Sequence, residues 1–335
     1  MTLRGMRQPR AHVALLGILA AILLVNSRPV LADSGCSSSD ASVSFSTTLS
    51  LPPTSKATLD EIRVAIAQGH FERAEGLLGK IPPGAERSLW EGVLSLHSGK
   101  TFASIRSLEE AARLDDSNTI ETLLAVDYLL LNQRQLTAQT INKALALNPK
   151  DERTVYLRGR FHFLTHNFSK AAQDFSTVLE TEPNDYRTLF YLGLSEWRLS
   201  KQSHAQEHLQ RSVEVVTCNQ LRFALAPQTL AELQLQTGNL KGALVNSDLA
   251  VNLATQGKGQ GDNQEHLSGA LLLRGKVKSA LGNKREAADD WLRAVHLNPE
   301  LAEGWYLLAR LYQQRGETKM AAEALAHFKQ IHDEL

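Results

Sequence analysis

Two pairs of histidines come closest to the spacing of a metal site: His162 with His166, and His204 with His208. Histidines four positions apart share one face of a helix, where both imidazoles can bind one Zn²⁺. Neither pair is accompanied by a third ligand or by the H-E-x-x-H pattern. Structural or solvated histidines are therefore the favoured interpretation, and we expect no metal.

A polar, glycine-rich stretch at residues 256–263 has the composition of a ligand-binding loop. It lacks the G-x-x-x-x-G-K-[ST] order of a phosphate-binding loop, and no strand is predicted before it. No Ser-His-Asp order and no paired-carboxylate motif is visible elsewhere in the sequence. The sequence thus predicts a non-catalytic protein that uses no cofactor and no small-molecule substrate.

The composition is that of a folded, helix-rich protein. Of the 335 residues, 43% are hydrophobic and 21% are charged, which excludes wholesale disorder. Basic and acidic residues balance at 36 each, but the first 32 residues carry four arginines and no acidic residue. The remainder is slightly acidic, which gives no electrostatic support for nucleic-acid binding.

The first 32 residues have the organisation of a signal peptide. Three arginines precede an unbroken apolar run at residues 13–25, and a Val-x-Ala sequence ends at Ala32. The run suits the core of a signal peptide and is short for a membrane span, which needs about 20 residues. We expect export and cleavage after Ala32, with an uncleaved membrane anchor as the alternative.

Residues 33–54 are rich in serine and threonine, which predicts a flexible linker. The linker contains Cys36, and Cys218 is the second of the two cysteines. An oxidising compartment permits one bridge between them, and whether they pair is left open.

The chain ends in His332-Asp333-Glu334-Leu335. In a eukaryote with a signal peptide this tetrapeptide is a retention address for the lumen of the endoplasmic reticulum. The charged end of a helix produces the same residues by chance. Both compartments stay open, and the bacterial periplasm, cell envelope or secretion is favoured over the endoplasmic reticulum.

A 34-residue period runs through most of the chain. It separates Pro149 from Pro183 and Gly159 from Gly193, and other small residues recur at the same interval. The period, the small residues at positions 8 and 20 and the proline near position 32 resemble the tetratricopeptide repeat, W-x2-L-G-x2-Y…A-x3-F…P. The units in this register are 55–84, 85–117, 118–151, 152–185, 186–219, 224–257, 268–301 and 302–335.

The resemblance implies an all-α, right-handed superhelical solenoid of about eight helix-turn-helix repeats over residues 55–335. Each repeat would pack a helix A against a helix B, and neighbouring repeats would stack because none can bury its apolar face alone. Small residues at positions 8 and 20 would let the two backbones approach. Glycine at position 15 would end helix A, and the proline would stop helix B.

The resemblance also implies that positions 2, 5, 9, 12 and 13 of helix A line a concave groove. Arginine beside aromatic side chains is the composition of binding hot spots. The alternative is that Tyr156, Phe190 and Trp197 pack between units. The candidate protein-binding residues in units 152–185 and 186–219 are Arg153, Tyr156, Arg160, Arg187, Phe190, Trp197 and Arg198.

The predicted function is a non-catalytic scaffold or adaptor that binds a peptide or protein segment outside the cytoplasm. A chaperone-like factor that holds clients in a secretory compartment is one alternative, and an accessory subunit of an envelope complex is another. Some members of the resembled family hold a chaperone's C-terminal carboxylate with Lys and Asn in the groove. Position 9 contains no Asn here, which disfavours that role.

Overall fold

A computed structural model describes residues 56–256 and 262–333, which form sixteen helices and no strand. The predicted signal peptide, the predicted linker with Cys36, and residues 257–261 of the glycine-rich stretch lie outside the described residues. No helix within those two ranges has the length and apolar character needed to cross a membrane. The all-α prediction is confirmed for this part of the chain.

The helices follow one another with short connections, and their bounds are α1 (Lys56–Ala67), α2 (Phe71–Leu78), α3 (Ala85–His97), α4 (Thr101–Leu114), α5 (Asn118–Leu130), α6 (Arg134–Leu147), α7 (Glu152–Leu164), α8 (Phe168–Thr181), α9 (Tyr186–Arg198), α10 (Gln202–Cys218), α11 (Leu225–Gln236), α12 (Leu240–Thr255), α13 (Asp262–Ala280), α14 (Lys284–Leu297), α15 (Ala302–Gln314) and α16 (Thr318–Asp333). Each odd-numbered helix packs against the even-numbered helix that follows it. Each predicted unit contains one such pair, although α13 begins six residues before the predicted start of its unit. Asp262 and Asn263 therefore belong to α13 and not to a loop.

The helices group into two compact units, one comprising residues 56–183 and the other residues 184–333 among those described. In the first unit, leucine, isoleucine and alanine from α1 to α7 form a continuous core around Ile62, Leu108 and Ile120. In the second unit, Leu271, Trp291 and further apolar residues of α12 to α16 form a core of the same kind.

Small residues at position 8 bring the two helices of a pair together. A Cβ atom added to Gly159 would lie 2.8 Å from a ring carbon of Phe175, and one added to Gly193 would lie 2.8 Å from the Leu209 side chain. Real Cβ atoms do not approach so closely, so the large residue sixteen positions later occupies the space that glycine leaves. This confirms the role predicted for position 8.

Position 15 reverses the chain between the two helices of each pair. Its residue has a positive φ in all eight repeats, as in Gly69, Gly282 and Gly316, which is the left-handed conformation that favours glycine. Asn132, His166 and Ser200 stand there in the three central repeats. The requirement at this position is thus one of backbone conformation, and glycine fulfils it in only five repeats.

Candidate protein-binding surface

Matching caps fix the start of the helices that carry the candidate residues. The Asp151 carboxylate accepts hydrogen bonds from the Thr154 backbone N–H at 2.9 Å and from its hydroxyl at 2.6 Å, before α7. Asp185 accepts the same pair from Thr188, at 3.0 and 2.5 Å, before α9. A cap of this kind contributes about 1 kcal/mol to helix stability and sets the direction of the first turn.

Three of the seven candidate side chains lie in the interior. Tyr156 is 5% exposed and its ring centroid is 5.6 Å from that of Phe175. Arg160 is 1% exposed, with Nη1 at 3.5 Å from the Tyr156 hydroxyl. Phe190, in the second unit, is 3% exposed. Tyr156 and Phe190 are buried, as the alternative interpretation of these side chains as packing residues expects. Contact between a partner and any of the three residues stays a prediction.

The other four candidates reach solvent to different degrees. Arg153 is partly exposed and its Nε is 3.7 Å from an Asp151 carboxylate oxygen. Arg187 and Trp197 are partly exposed, and Arg198 is exposed, all three on α9. The last two are consecutive residues at the C-terminal end of α9, so an indole and a guanidinium both reach solvent at that end of the helix.

An aromatic cluster that the sequence did not predict supports the N-terminal half of α9. The Phe223 ring centroid lies 5.1 Å from Tyr186 and 5.2 Å from Phe190, both at steep interplanar angles. The Arg187 guanidinium sits 5.0 Å from the Tyr186 ring centroid. Phe223 follows α10 and lies between the predicted units 186–219 and 224–257, so the repeat pattern gave no signal for it.

Polar pairs join helix A to helix B in several repeats. His162 Nδ1 lies 2.9 Å from Asp174, which also binds Arg158 through two nitrogens. His208 Nδ1 lies 2.7 Å from Glu196, and this hydrogen bond raises the pKa of His208. Two of the four histidines considered as metal ligands therefore bind carboxylates between helices.

The remaining histidines do not complete a metal site. His166 stands in a turn after α7 and not on its helical face, so it does not share a face with His162. Over residues 56–256 and 262–333, no group of three potential ligands is arranged to hold a metal ion.

A further exposed aromatic residue lies in the last helix pair. Tyr306, at position 5 of its repeat, is 43% exposed, whereas Phe190 at the same position is buried. The Arg310 guanidinium lies 5.8 Å from the Tyr306 ring centroid. Lys276 on α13 forms an ion pair with Glu303 at 2.6 Å. The second unit thus carries exposed arginine and aromatic side chains on two of its A helices, α9 and α15.

The family model described as tetratricopeptide repeat matches residues 272–330. Mouse peptidyl-prolyl cis-trans isomerase FKBP4 is 26% identical over 120 residues, which is 36% of this chain and 24% of the relative. Anaphase-promoting complex subunit 3 of Schizosaccharomyces pombe is 22% identical over 206 residues, which is 62% of this chain and 28% of the relative. The chain therefore spans about a quarter of the length of the curated relatives it matches.

Solved structures show the same fold at low identity. The Cut9–Hcn1 hetero-tetramer of the anaphase-promoting complex aligns with a TM-score of 0.63 and 14% identity, over 83% of this chain and 53% of that one. PilW, described as a type IV pilus biogenesis factor, aligns at 0.57 and 19% identity, over 67% and 98%. Pseudomonas aeruginosa PilF aligns at 0.56 and 21% identity, over 68% and 97%. The fold and the family model together support the tetratricopeptide-repeat resemblance.

Proposed function

We propose that this protein is a non-catalytic scaffold that binds a segment of another protein along its A helices. The observation that carries the proposal is that two A helices of the second unit, α9 and α15, each carry an exposed arginine and an aromatic side chain that reaches solvent: Arg198 with Trp197, and Arg310 with Tyr306. Helix pairs occupy the described residues, and their small residues and turns are used for packing. The exposed helix-A side chains of α9 and α15 take no part in that packing and stay available to a ligand.

The chemistry of these side chains favours a partner with carboxylates beside apolar groups. A guanidinium binds a carboxylate through two parallel hydrogen bonds, and an adjacent indole or phenol covers apolar surface at little cost in side-chain entropy. No carboxylate among the described residues forms an ion pair with Arg198 or Arg310. Both guanidinium groups are therefore available to a carboxylate of a partner.

The comparisons support a role in assemblies without naming the partner. The Cut9–Hcn1 structure is a hetero-tetramer of the anaphase-promoting complex. PilW is described as a type IV pilus biogenesis factor. We extend from these proteins only the idea that such helix pairs hold other polypeptides, in a groove that the repeat resemblance predicts to be concave.

We further propose that the protein acts outside the cytoplasm, in a bacterial envelope. The arginine-rich start, the apolar run at residues 13–25 and the Val-x-Ala end at Ala32 support export. Mass-spectrometric sequencing of the purified protein should find Asp33 at its N-terminus, and an intact Met1 would refute cleavage. Deletion of residues 332–335 should leave a periplasmic protein in place, whereas an endoplasmic-reticulum protein would escape into the medium.

Site-specific photo-crosslinking in the native host tests the scaffold proposal. A photoreactive phenylalanine derivative at position 197 or 306 should capture a protein in a discrete band. The same derivative at Val245, which is exposed on helix B of its repeat, is the matched control and should capture much less. Equal capture at all three positions, or capture at position 245 alone, would contradict binding along the A helices.

A further inference from the structure

The helix pair of repeat 268–301, α13 and α14, shows how an A helix docks on the pair before it. Gly304, at position 3 of the next repeat, lies close against Val295 of α14, because a Cβ added to the glycine would be 2.6 Å from a methyl carbon of the valine. Lys276, at position 9 on α13, forms an ion pair of 2.6 Å with Glu303, at position 2 of the next repeat. Helix α15 is therefore held by close packing on helix B and by charge on helix A.

The same face of the last pair, α15 and α16, has no described helix against it. Equivalent residues of the two repeats are 34 positions apart, so their burial can be compared directly. Leu272 at position 5 and Val295 at position 28 are buried and belong to one apolar core with residues of α15. Their counterparts Tyr306 and Lys329 are exposed. The face that α15 covers in one repeat thus reaches solvent in the next.

This exposed surface is both aromatic and basic. The Tyr306 and Phe328 ring centroids are 5.6 Å apart, and the His332 ring lies 6.2 Å beyond Phe328. The Arg310 guanidinium is 5.8 Å from the Tyr306 ring centroid. Terminal repeats usually carry a polar outer face, whereas an exposed apolar patch edged by charge marks an interaction site. We call this surface the end face, which consists of Tyr306, Arg310, Phe328, Lys329 and His332.

The charge at position 9 indicates the chemistry of what binds there. Arg310 is the counterpart of Lys276, whose partner Glu303 comes from the first turn of the next A helix. Neither Arg310 nor Lys329 forms an ion pair with a carboxylate among the described residues. A helix that docked in the same way would therefore satisfy Arg310 with an acidic residue of its own first turn, where the helix dipole also favours negative charge.

We propose that the end face docks an amphipathic α-helix of another protein. The helix takes on α15 and α16 the place that α15 takes on α13 and α14. Its apolar side chains cover Tyr306 and Phe328, and a Glu or Asp of its first turn binds Arg310. The inference rests on the proposed scaffold function, since it names the conformation and the charge of the segment that is bound at α15.

Charge disfavours a second copy of this chain as the occupant. The A helix that begins the array is α1, and position 2 of its repeat is Lys56. Head-to-tail association in this manner requires an acidic residue at that position, because Arg310 is itself basic. Charge complementarity therefore favours a helix of another protein.

A peptide with the sequence of α15, Ala302–Gln314, is the probe, because this helix already docks on the equivalent face of the preceding repeat. A hydrocarbon staple joins its positions 306 and 310, which are exposed in α15, and a fluorophore reports binding by anisotropy. We expect saturable binding to the purified protein. An absence of saturable binding would overturn the proposal.

A charge exchange locates the peptide on the protein. Replacing Glu303 of the peptide with Lys should weaken binding by about fivefold or more, because repulsion from Arg310 replaces attraction. The protein variant Arg310→Glu should reverse the preference and bind the Lys peptide within about twofold of the parent pair. The matched control, Lys319→Glu, reverses an exposed lysine of α16 and should keep the preference for Glu. An unreversed preference in Arg310→Glu would overturn docking on the end face.

The crosslinking test separates this inference from the scaffold proposal. Capture of a protein at position 197 without a reversed preference in Arg310→Glu would overturn end-face docking and leave the scaffold in place. A reversed preference without any capture would do the opposite. Sedimentation velocity of the protein alone tests the second copy, and we expect no change with concentration. Association with concentration that Arg310→Glu abolishes would overturn docking of a helix from another protein.

Discussion

Each compact unit contains a buried aspartate, and the two differ in whether a cationic side chain binds the carboxylate. Asp127 on α5 is fully buried, accepts one hydrogen bond from the Ser104 hydroxyl at 2.6 Å, and its Oδ1 has no hydrogen-bond partner among the described residues. Asp290 on α14 is 2% exposed and binds Arg274 and Lys278 of the facing helix α13, at 2.6–2.9 Å.

The comparison separates the effect of burial from the effect of pairing. Burial raises the pKa of Asp127 from 3.8 to about 7, and the hydrogen bond from Ser104 opposes this only in part. Burial also acts to raise the pKa of Asp290, but the hydrogen bonds from Arg274 and Lys278 outweigh it, and the pKa is lowered. A carboxylate between helices thus stabilises the fold only where cations face it.

The largest effect is expected from removal of the paired aspartate. Replacing Asp290 with Ala leaves Arg274 and Lys278 close together without their shared carboxylate. We expect the free energy of unfolding to fall by about 3 kcal/mol or more, measured by urea denaturation near pH 7. The control is Asp289→Ala, an exposed neighbour, which should change it by less than about 0.5 kcal/mol. An equal decrease in the free energy of unfolding in both variants would contradict the claim that Asp290 stabilises the fold through Arg274 and Lys278.

The unpaired aspartate should behave in the opposite way. Burial raises the pKa of Asp127 in the folded state to about 7. Between about pH 4 and pH 7, therefore, Asp127 is protonated in the folded protein and ionised in the unfolded chain. Its contribution to stability is therefore greatest below pH 4 and is lost as the pH rises towards 7.

Replacing Asp127 with Asn keeps an oxygen that can accept the hydrogen bond from Ser104 and removes the buried charge. We expect this variant to exceed the parent in free energy of unfolding by on the order of 3 kcal/mol at pH 8, and to match it near pH 4. Urea titrations at both pH values give the two differences. A variant that is less stable than the parent at pH 8 would contradict the account of Asp127.

A smaller effect is expected at position 15, where residues with the same backbone conformation differ between repeats. Ser200 has a φ of 61° and Gly282 a φ of 89°. Replacing Ser200 with Gly should raise the free energy of unfolding by about 0.5–1 kcal/mol, and Gly282→Ser should lower it by a similar amount. Thermal denaturation of both variants measures this, and a loss of stability in Ser200→Gly would show that its conformation is not strained.

The helix pairs were largely predictable because each depends on residues with one dominant physical role. Gly159 and Gly193 mark close approaches, and Pro149 and Pro183 precede new repeats. The gap between predicted units 224–257 and 268–301 was the weak point, since α13 begins at Asp262, within that gap. A period indicates where helices pair and says little about how far a helix extends beyond the pair.

The polar contacts and the burial of the candidate site were not predictable from the period. Asp290 and Arg274 appear in the sequence as ordinary surface charges, and their pairing depends on the relative rotation of two helices. Arg160 was expected to reach a ligand but lies in the interior. Phe223 occupies no repeat position, so its contact with Phe190 had no pattern to reveal it.

If an external protein binds along the A helices, the captured partner should lose affinity for a variant of α9. Replacing Arg198 with Glu reverses one exposed charge beside Trp197, and Lys201→Glu makes the same change in net charge at an exposed residue three positions later. Calorimetric titration with the purified partner should give a Kd more than tenfold weaker for Arg198→Glu and within twofold of the parent for Lys201→Glu. An unchanged Kd for a folded Arg198→Glu variant would contradict binding through α9.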